Sequence, residues 1–139
     1  MKKGILIWCL LGVVISCFGQ QEEISSLVGE HVFGTQFIYD GYGTATVIEE
    51  DGKLKIEGSQ YSKDKEEYLK IDGILTEVDA KTLRFEGYLE LYTKSCCGVV
   101  THTTTFTFLK SGKRKYWRLQ ERDALCSPYT CAYYIDLFE

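Results

Sequence analysis

Residues 103–139, TTTFTFLKSGKRKYWRLQERDALCSPYTCAYYIDLFE, decide how this chain folds. Residues 103–110 and 113–120 flank Ser111-Gly112, a pair suited to a two-residue hairpin turn. That turn sets Lys110 opposite Lys113 and Phe106 opposite Trp117. Phe106, Phe108, Trp117 and Leu119 then share one face, while Thr105, Thr107, Tyr116 and Arg118 share the other. Side chains alternate with period two along a strand, so a one-residue slip would mix the two sets. A cross-strand aromatic pair such as Phe106–Trp117 adds about 0.2–1 kcal/mol. Residues 121–131 read as a loop carrying Cys126 and Cys131, and residues 132–138, rich in Tyr, Ile and Phe, as the closing strand.

The same grammar extends back through the chain. Residues 82–92 alternate Leu83, Phe85, Leu89 and Leu91 against Arg84, Glu86, Tyr88 and Glu90. Further strands are expected over residues 31–39, 43–49, 53–60, 67–78 and 99–110, with turn residues between them. No long stretch shows helical periodicity. Gly58, Gly73 and Gly87 fall inside strand patterns and are candidate bulges or corners. Short turns at every other junction favour a meander, and eight meandering strands tend to close and remove their exposed edges. The expected fold is all-β: one antiparallel up-and-down barrel over residues 29–139, with a β-sandwich as the alternative.

Residues 1–19, MKKGILIWCLLGVVISCFG, have the form of a secretory signal: two lysines, an apolar run, then small residues. Cleavage after Gly19 would leave residues 20–28 as a polar N-terminal arm. Val14-Ile15-Ser16-Cys17 also resembles a bacterial lipobox, in which Cys17 is lipidated and becomes the first residue. The chain is therefore expected to be exported: periplasmic, secreted or anchored at the outer membrane of a bacterium. Membrane attachment is expected only through Cys17. Without Lys2 and Lys3 there are 14 basic against 20 acidic residues, which argues against nucleic acid as a partner.

A meander has a topological consequence. The connections after the first, third, fifth and seventh strands lie at one end of the barrel. Those include residues 59–66, 93–98 and 121–131, so Cys96 and Cys97 come to the same end as Cys126 and Cys131. In an exported domain these four cysteines read as two disulfides. Vicinal Cys96–Cys97 pairing would be strained, which favours each of the two bonding to one of Cys126 and Cys131. A Cys126–Cys131 bridge within one loop is the other option. A bridge closing a loop of this length contributes on the order of 3 kcal/mol. The C-C and C-x4-C spacings do not suit a four-thiolate metal site.

This outline resembles the calycins, the lipocalin-like group of small barrels, over most of the chain after residue 19. Where lipocalins carry G-x-W on the first strand, this chain has Gly29-Glu30-His31, and Arg118 and Arg122 are the late arginines. The resemblance implies a small apolar or amphipathic ligand in the barrel mouth.

Two histidines are present. His102 has the parity of Phe106 and so points inward, and the two-residue turn places it opposite Glu121. Such a pair at a barrel mouth can hold a ligand or move a proton; a polar pair at a strand end is the plainer reading. Tyr129 and Tyr61, on the loops at that end, complete the candidate ligand site, and Tyr133 and Tyr134 can line a mouth or serve as staves. His31 belongs to the opposite end. The run Lys113-Arg114-Lys115 on the hairpin tip can meet an acidic partner or lipid headgroups, or simply be solvated. No complete catalytic, phosphate-binding or metal motif occurs, and no cofactor is expected. Two functions from different classes follow: a binding module for a small amphipathic ligand at the disulfide-loop end, or an interaction protein of the envelope whose barrel is filled by its own side chains.

Overall fold

The computed structural model describes residues 25–95, 98–126 and 133–139. Eight strands follow one another: β1 (Gly29–Thr35), β2 (Gly43–Glu50), β3 (Lys53–Tyr61), β4 (Tyr68–Asp79), β5 (Thr82–Thr93), β6 (Gly98–Leu109), β7 (Tyr116–Leu119) and β8 (Ile135–Phe138). A 3-10 turn, Arg122–Cys126, lies between β7 and β8. The described residues contain no α-helix. Each strand pairs antiparallel with the next, and β8 returns to β1 through Phe33↔Leu137, Gly34↔Asp136 and Thr35↔Ile135. The fold is the closed up-and-down barrel expected from the turn spacing.

Alternation along the strands sets the inside. Phe33, Ala45, Val47, Ile56, Leu69, Ile71, Leu75, Leu83, Phe85, Leu89, Leu91, Phe106, Phe108, Leu119, Ile135 and Leu137 are buried in one core. Phe85 lies against both Phe106 and Phe108, with ring centroids 6.4 Å apart in each case. The outer wall carries charge at mid-strand: Lys55, Glu57, Lys70, Asp72, Arg84 and Glu86.

The C-terminal hairpin differs from its expected form in one respect. Its pairs are Phe108↔Leu119 and Leu109↔Arg118, so the register sits four residues from the one a two-residue turn would give. The connection is a six-residue loop between Leu109 and Tyr116. Charge explains the shift. A tight turn would set Lys110 directly against Lys113, a destabilising like-charge pair. It would also continue the strand through Lys115, which has the parity of Trp117 and would point into the core. Opening the loop leaves Lys113, Arg114 and Lys115 exposed. A shift of four is even, so every side chain keeps its face. Phe106, Phe108, Trp117 and Leu119 are accordingly all buried.

Three smaller differences follow from packing. β1 ends at Thr35 rather than at residue 39, because Phe37 and Ile38 fold across the barrel end; Ile38 is buried, and the Phe37 ring meets Tyr133 edge-on at 5.3 Å. The arm read as polar ends on an apolar contact: Leu27 is 3% exposed, and the Val28 N–H donates to the Ser25 carbonyl at 3.1 Å. Gly58, Gly73 and Gly87 lie in continuous ladders, and the register shift in this wall falls at Glu77/Asp79. Gly73 and Gly87 face each other. A Cβ on Gly73 would come 2.4 Å from the Glu86 carbonyl oxygen and 2.6 Å from the Phe85 ring, so the pair marks a close approach of two strands over that ring.

Candidate functional site

Two ends of the barrel hold the chemistry, and the meander determines which residues reach each. The loop end receives the connections between β1 and β2, β3 and β4, β5 and β6, and β7 and β8. The hairpin end receives the other three connections, the entering residues 25–28 and the chain terminus.

At the loop end the expected His102–Glu121 pair does not form. The Glu121 carboxylate accepts the Thr107 N–H at 2.8 Å, and the Gln120 N–H donates to the Thr107 carbonyl at the same distance. Thr107 lies five residues from His102, about 16 Å along an extended strand. The shifted register is the cause. His102 does share the inward parity of Phe106, whose ring it meets edge-on at 6.0 Å. Its Nε2 is 3.3 Å from the Leu125 carbonyl oxygen, so it fastens the 3-10 turn onto β6.

Tyr61 is on the outer wall. It is exposed, and it stands in line with Tyr68 and Tyr92 across β3, β4 and β5. The fold therefore separates it from His102. Cys126 is buried at the end of the 3-10 turn and is disulfide-bonded. Tyr129, Cys96, Cys97, Cys131 and Cys17 lie outside the described residues, and with them the expected disulfide pairing and lipidation.

The described polar groups that do converge at the loop end satisfy one another. Gln60, 1% exposed, accepts the Thr35 N–H at 2.7 Å and donates to the carbonyls of Thr35 at 3.1 Å and Gly41 at 2.8 Å. Thr93 and Tyr133, both fully buried, share a hydroxyl hydrogen bond of 2.8 Å. Burial pushes the Tyr133 phenol up, and the Thr93 bond acts in the other sense. Above them the β3–β4 loop is tied to the end of β5. Lys94 Nζ lies 3.1 Å from Asp64 and 2.5 Å from Glu66, and the Lys94 N–H donates to Glu67. The Ser62 hydroxyl, the Glu66 N–H and Lys94 together hold the Asp64 carboxyl at about 2.

The hairpin end is built differently. The Nδ1 and Nε2 of His31 each lie 2.7 Å from a carbonyl oxygen, that of Phe138 and that of Leu27 respectively. The buried ring thus joins the entering chain to the last strand. A 370 Å³ cleft beside it is lined by Leu27, His31, Leu83, Lys110, Trp117 and Glu139, among others. Lys110 lies 4.3 Å over the Trp117 ring and pairs with Glu139. The indole N–H of Trp117 is buried with no hydrogen-bond partner among the described residues. A second cleft of 730 Å³ runs between Ser25, the β2–β3 turn and the β4 edge. A third, of 530 Å³, lies on the outer wall beside Tyr61, Lys70 and Tyr88.

Sequence reading missed one cluster on the outer wall. Arg118 and Asp136 are directly opposed on β7 and β8 and form a bidentate pair at 2.7 and 2.8 Å. Arg118 also lies over Tyr116 and Tyr134, at 5.1 and 4.5 Å from the ring centroids. Its hydrogen bonds to Asp136 hold the guanidinium still more firmly protonated. The one signal available was an Asp in an otherwise apolar run, Ile135-Asp136-Leu137-Phe138, with the parity of a wall position. Among the described residues, no group of His, Cys, Asp and Glu is arranged to hold a metal ion. No helix of the described residues is long and apolar enough to cross a membrane.

Comparison with known proteins gives a consistent grouping. The model of the PM1083 family matches residues 17–139. A protein from Pasteurella multocida (strain Pm70), named "Uncharacterized protein PM1083", is 32% identical over 117 residues, covering 82% of this chain and 74% of the relative. No solved structure matches.

Proposed function

The chain belongs to the PM1083 family, and on that footing we propose that it is an exported barrel of the bacterial envelope that acts through its surface, not as a carrier of a small ligand in its interior. The observation that carries this reading is the set of large apolar side chains that the described strands turn inward. Phe33, Phe85, Phe106, Phe108, Ile56, Leu69, Ile71, Leu89, Leu91 and Tyr133 are all fully buried, and the described polar groups at the loop end are spent on one another. Eight strands enclose a space that side chains can fill completely. The residues proposed for a ligand, His102, Glu121 and Tyr61, point to three different places, which favours the surface reading over the carrier reading.

Export is supported by the leader-like residues 1–19 and by the start of the family match at residue 17, which leaves most of that segment outside what the family shares. The charged outer wall fits a barrel in water, since a lipid-facing wall excludes charge at mid-strand. In this setting Cys96, Cys97, Cys126 and Cys131 form two disulfides. Native mass spectrometry of the exported protein tests the reading. The expected masses are those of a processed chain with four cysteines oxidised and no retained small molecule. A stoichiometric apolar or amphipathic adduct would favour the carrier, and an unprocessed cytoplasmic chain would refute export.

A further inference from the structure

Resting on that reading, we propose that the barrel stands on an anionic phospholipid bilayer with its hairpin end down, anchored through a lipid on Cys17 and seated by Lys113, Arg114 and Lys115. Two independent features converge on this end. The first is the route of the chain. Leu27 is buried beneath the barrel and its carbonyl faces His31, so whatever precedes Ser25 departs from the hairpin end. Val14-Ile15-Ser16-Cys17 has the lipobox form, and the family match begins at this cysteine. An extended chain spans at most about 3.5 Å per residue, so the eight steps from Cys17 to Ser25 reach no farther than roughly 28 Å. The longest strands have twelve residues, and with barrel tilt they separate the two ends by about 30 Å. A lipid on Cys17 therefore keeps the hairpin end beside the bilayer and the disulfide-loop end away from it.

The second feature is the charge of the β6–β7 loop. Lys113, Arg114 and Lys115 are exposed at its tip, and none of them forms an ion pair among the described residues. Lys110, by contrast, is committed to Glu139. Each basic residue close to an anionic membrane surface raises partitioning about fivefold, so three together give roughly a hundredfold. Glu49 and Glu50 end β2 and Asp51 begins the β2–β3 turn at the same end. The barrel accordingly leans onto its β6–β7 rim, with the acidic turn raised.

Trp117 is a native reporter of this arrangement, because the other tryptophan, Trp8, precedes Cys17 and Trp117 lines the hairpin-end cleft. The protein is purified from membranes as the cell processes it and reconstituted into phosphatidylcholine vesicles with or without phosphatidylglycerol. Energy transfer is then measured from Trp117 to a dansyl-labelled headgroup lipid. Transfer is expected with phosphatidylglycerol, and is expected to fall to the phosphatidylcholine level in the K113E/R114E/K115E variant and in 1 M salt, where the Debye length is about 3 Å. The neutral K113Q/R114Q/K115Q variant serves if the acidic one fails to fold. Equal transfer in parent and variant overturns the seating while the envelope reading stands. An intact mass that lacks a lipid on Cys17 overturns the proposal at its anchor, and the exported fraction still tests the envelope reading by itself.

Discussion

Removing Arg118 should cost far more than removing the aspartate it binds. The pair spans the thinnest part of the wall: β6–β7 is held by two residue pairs, β7–β8 by three and β8–β1 by three. Within that seam the partners are unequal, the Asp136 side chain being 4% exposed and that of Arg118 20%. Arg118→Ala strands a carboxylate in a nearly dry site, and breaking a buried pair this way costs roughly 3–5 kcal/mol. The partial exposure of Arg118 argues for the lower figure, about 3 kcal/mol. Asp136→Ala leaves a guanidinium that can still reach water and still lies over Tyr116 and Tyr134, and the loss is that of charge-assisted hydrogen bonds, about 1.5 kcal/mol. A domain of this size loses roughly 4 °C of Tm per kcal/mol. The expected falls are therefore about 12 °C for Arg118→Ala and about 6 °C for Asp136→Ala, read by calorimetry and urea unfolding without added reductant. Replacing both partners with apolar residues, as in R118M/D136L, should recover most of the loss. Equal falls, or a larger one for Asp136→Ala, would refute the inference that desolvation of the carboxylate governs this seam.

Other expectations are open to direct measurement. Gly43→Ala would bring a Cβ to 1.9 Å from the Ser59 carbonyl oxygen and 2.7 Å from the Gln60 Cα, all backbone of β3, so a loss of about 3 kcal/mol in urea unfolding is expected; a neutral result would mean that β2 and β3 can part. His31→Leu leaves the Leu27 and Phe138 carbonyls without their ring partner, costing about 2 kcal/mol. Amide exchange should accelerate first at Leu27 and Val28, and unchanged protection there would contradict the role given to the ring. The pH dependence of the β3–β4 loop follows from Asp64, whose carboxyl lies at about 2 against an ordinary 3.8. Because folding lowers it, its contribution is complete above about pH 4 and disappears as the pH falls through about 2. An NMR titration of the Asp64 carboxyl should give a midpoint near 2, and Lys94→Ala should raise it only in part, since the Ser62 and Glu66 bonds remain. A midpoint near 3.8 in the parent would dispose of the tie.

The candidate site was less legible than the fold, and His102 shows why. Its inward orientation was readable, because parity with Phe106 depends on counting by twos along one strand. Its partner was not. That depended on how wide the β6–β7 loop opens, and the loop width was set by the repulsion of Lys110 and Lys113 and by the need to keep Lys115 out of the core. Glu121 thus moved from His102 to Thr107, and the carbonyl of Leu125 took its place. Tyr61 was assigned to a mouth from loop proximity alone, whereas its parity opposite Ile56 and Gln60 already marked it as a wall residue.

What the amino-acid order determined by itself was the set of inward and outward faces, the number of strands and the end of the barrel to which each connection belongs. These are local properties: alternation and turn chemistry act between residues a few positions apart. The tertiary structure alone decided the register of the closing hairpin, the plug formed by residues 25–28 under His31, and the Arg118–Asp136 clasp that completes the ring. Each of these joins segments separated by a long stretch of chain or a loop of unforeseeable width. Their energies exist only when the barrel brings both halves together and removes the water between them.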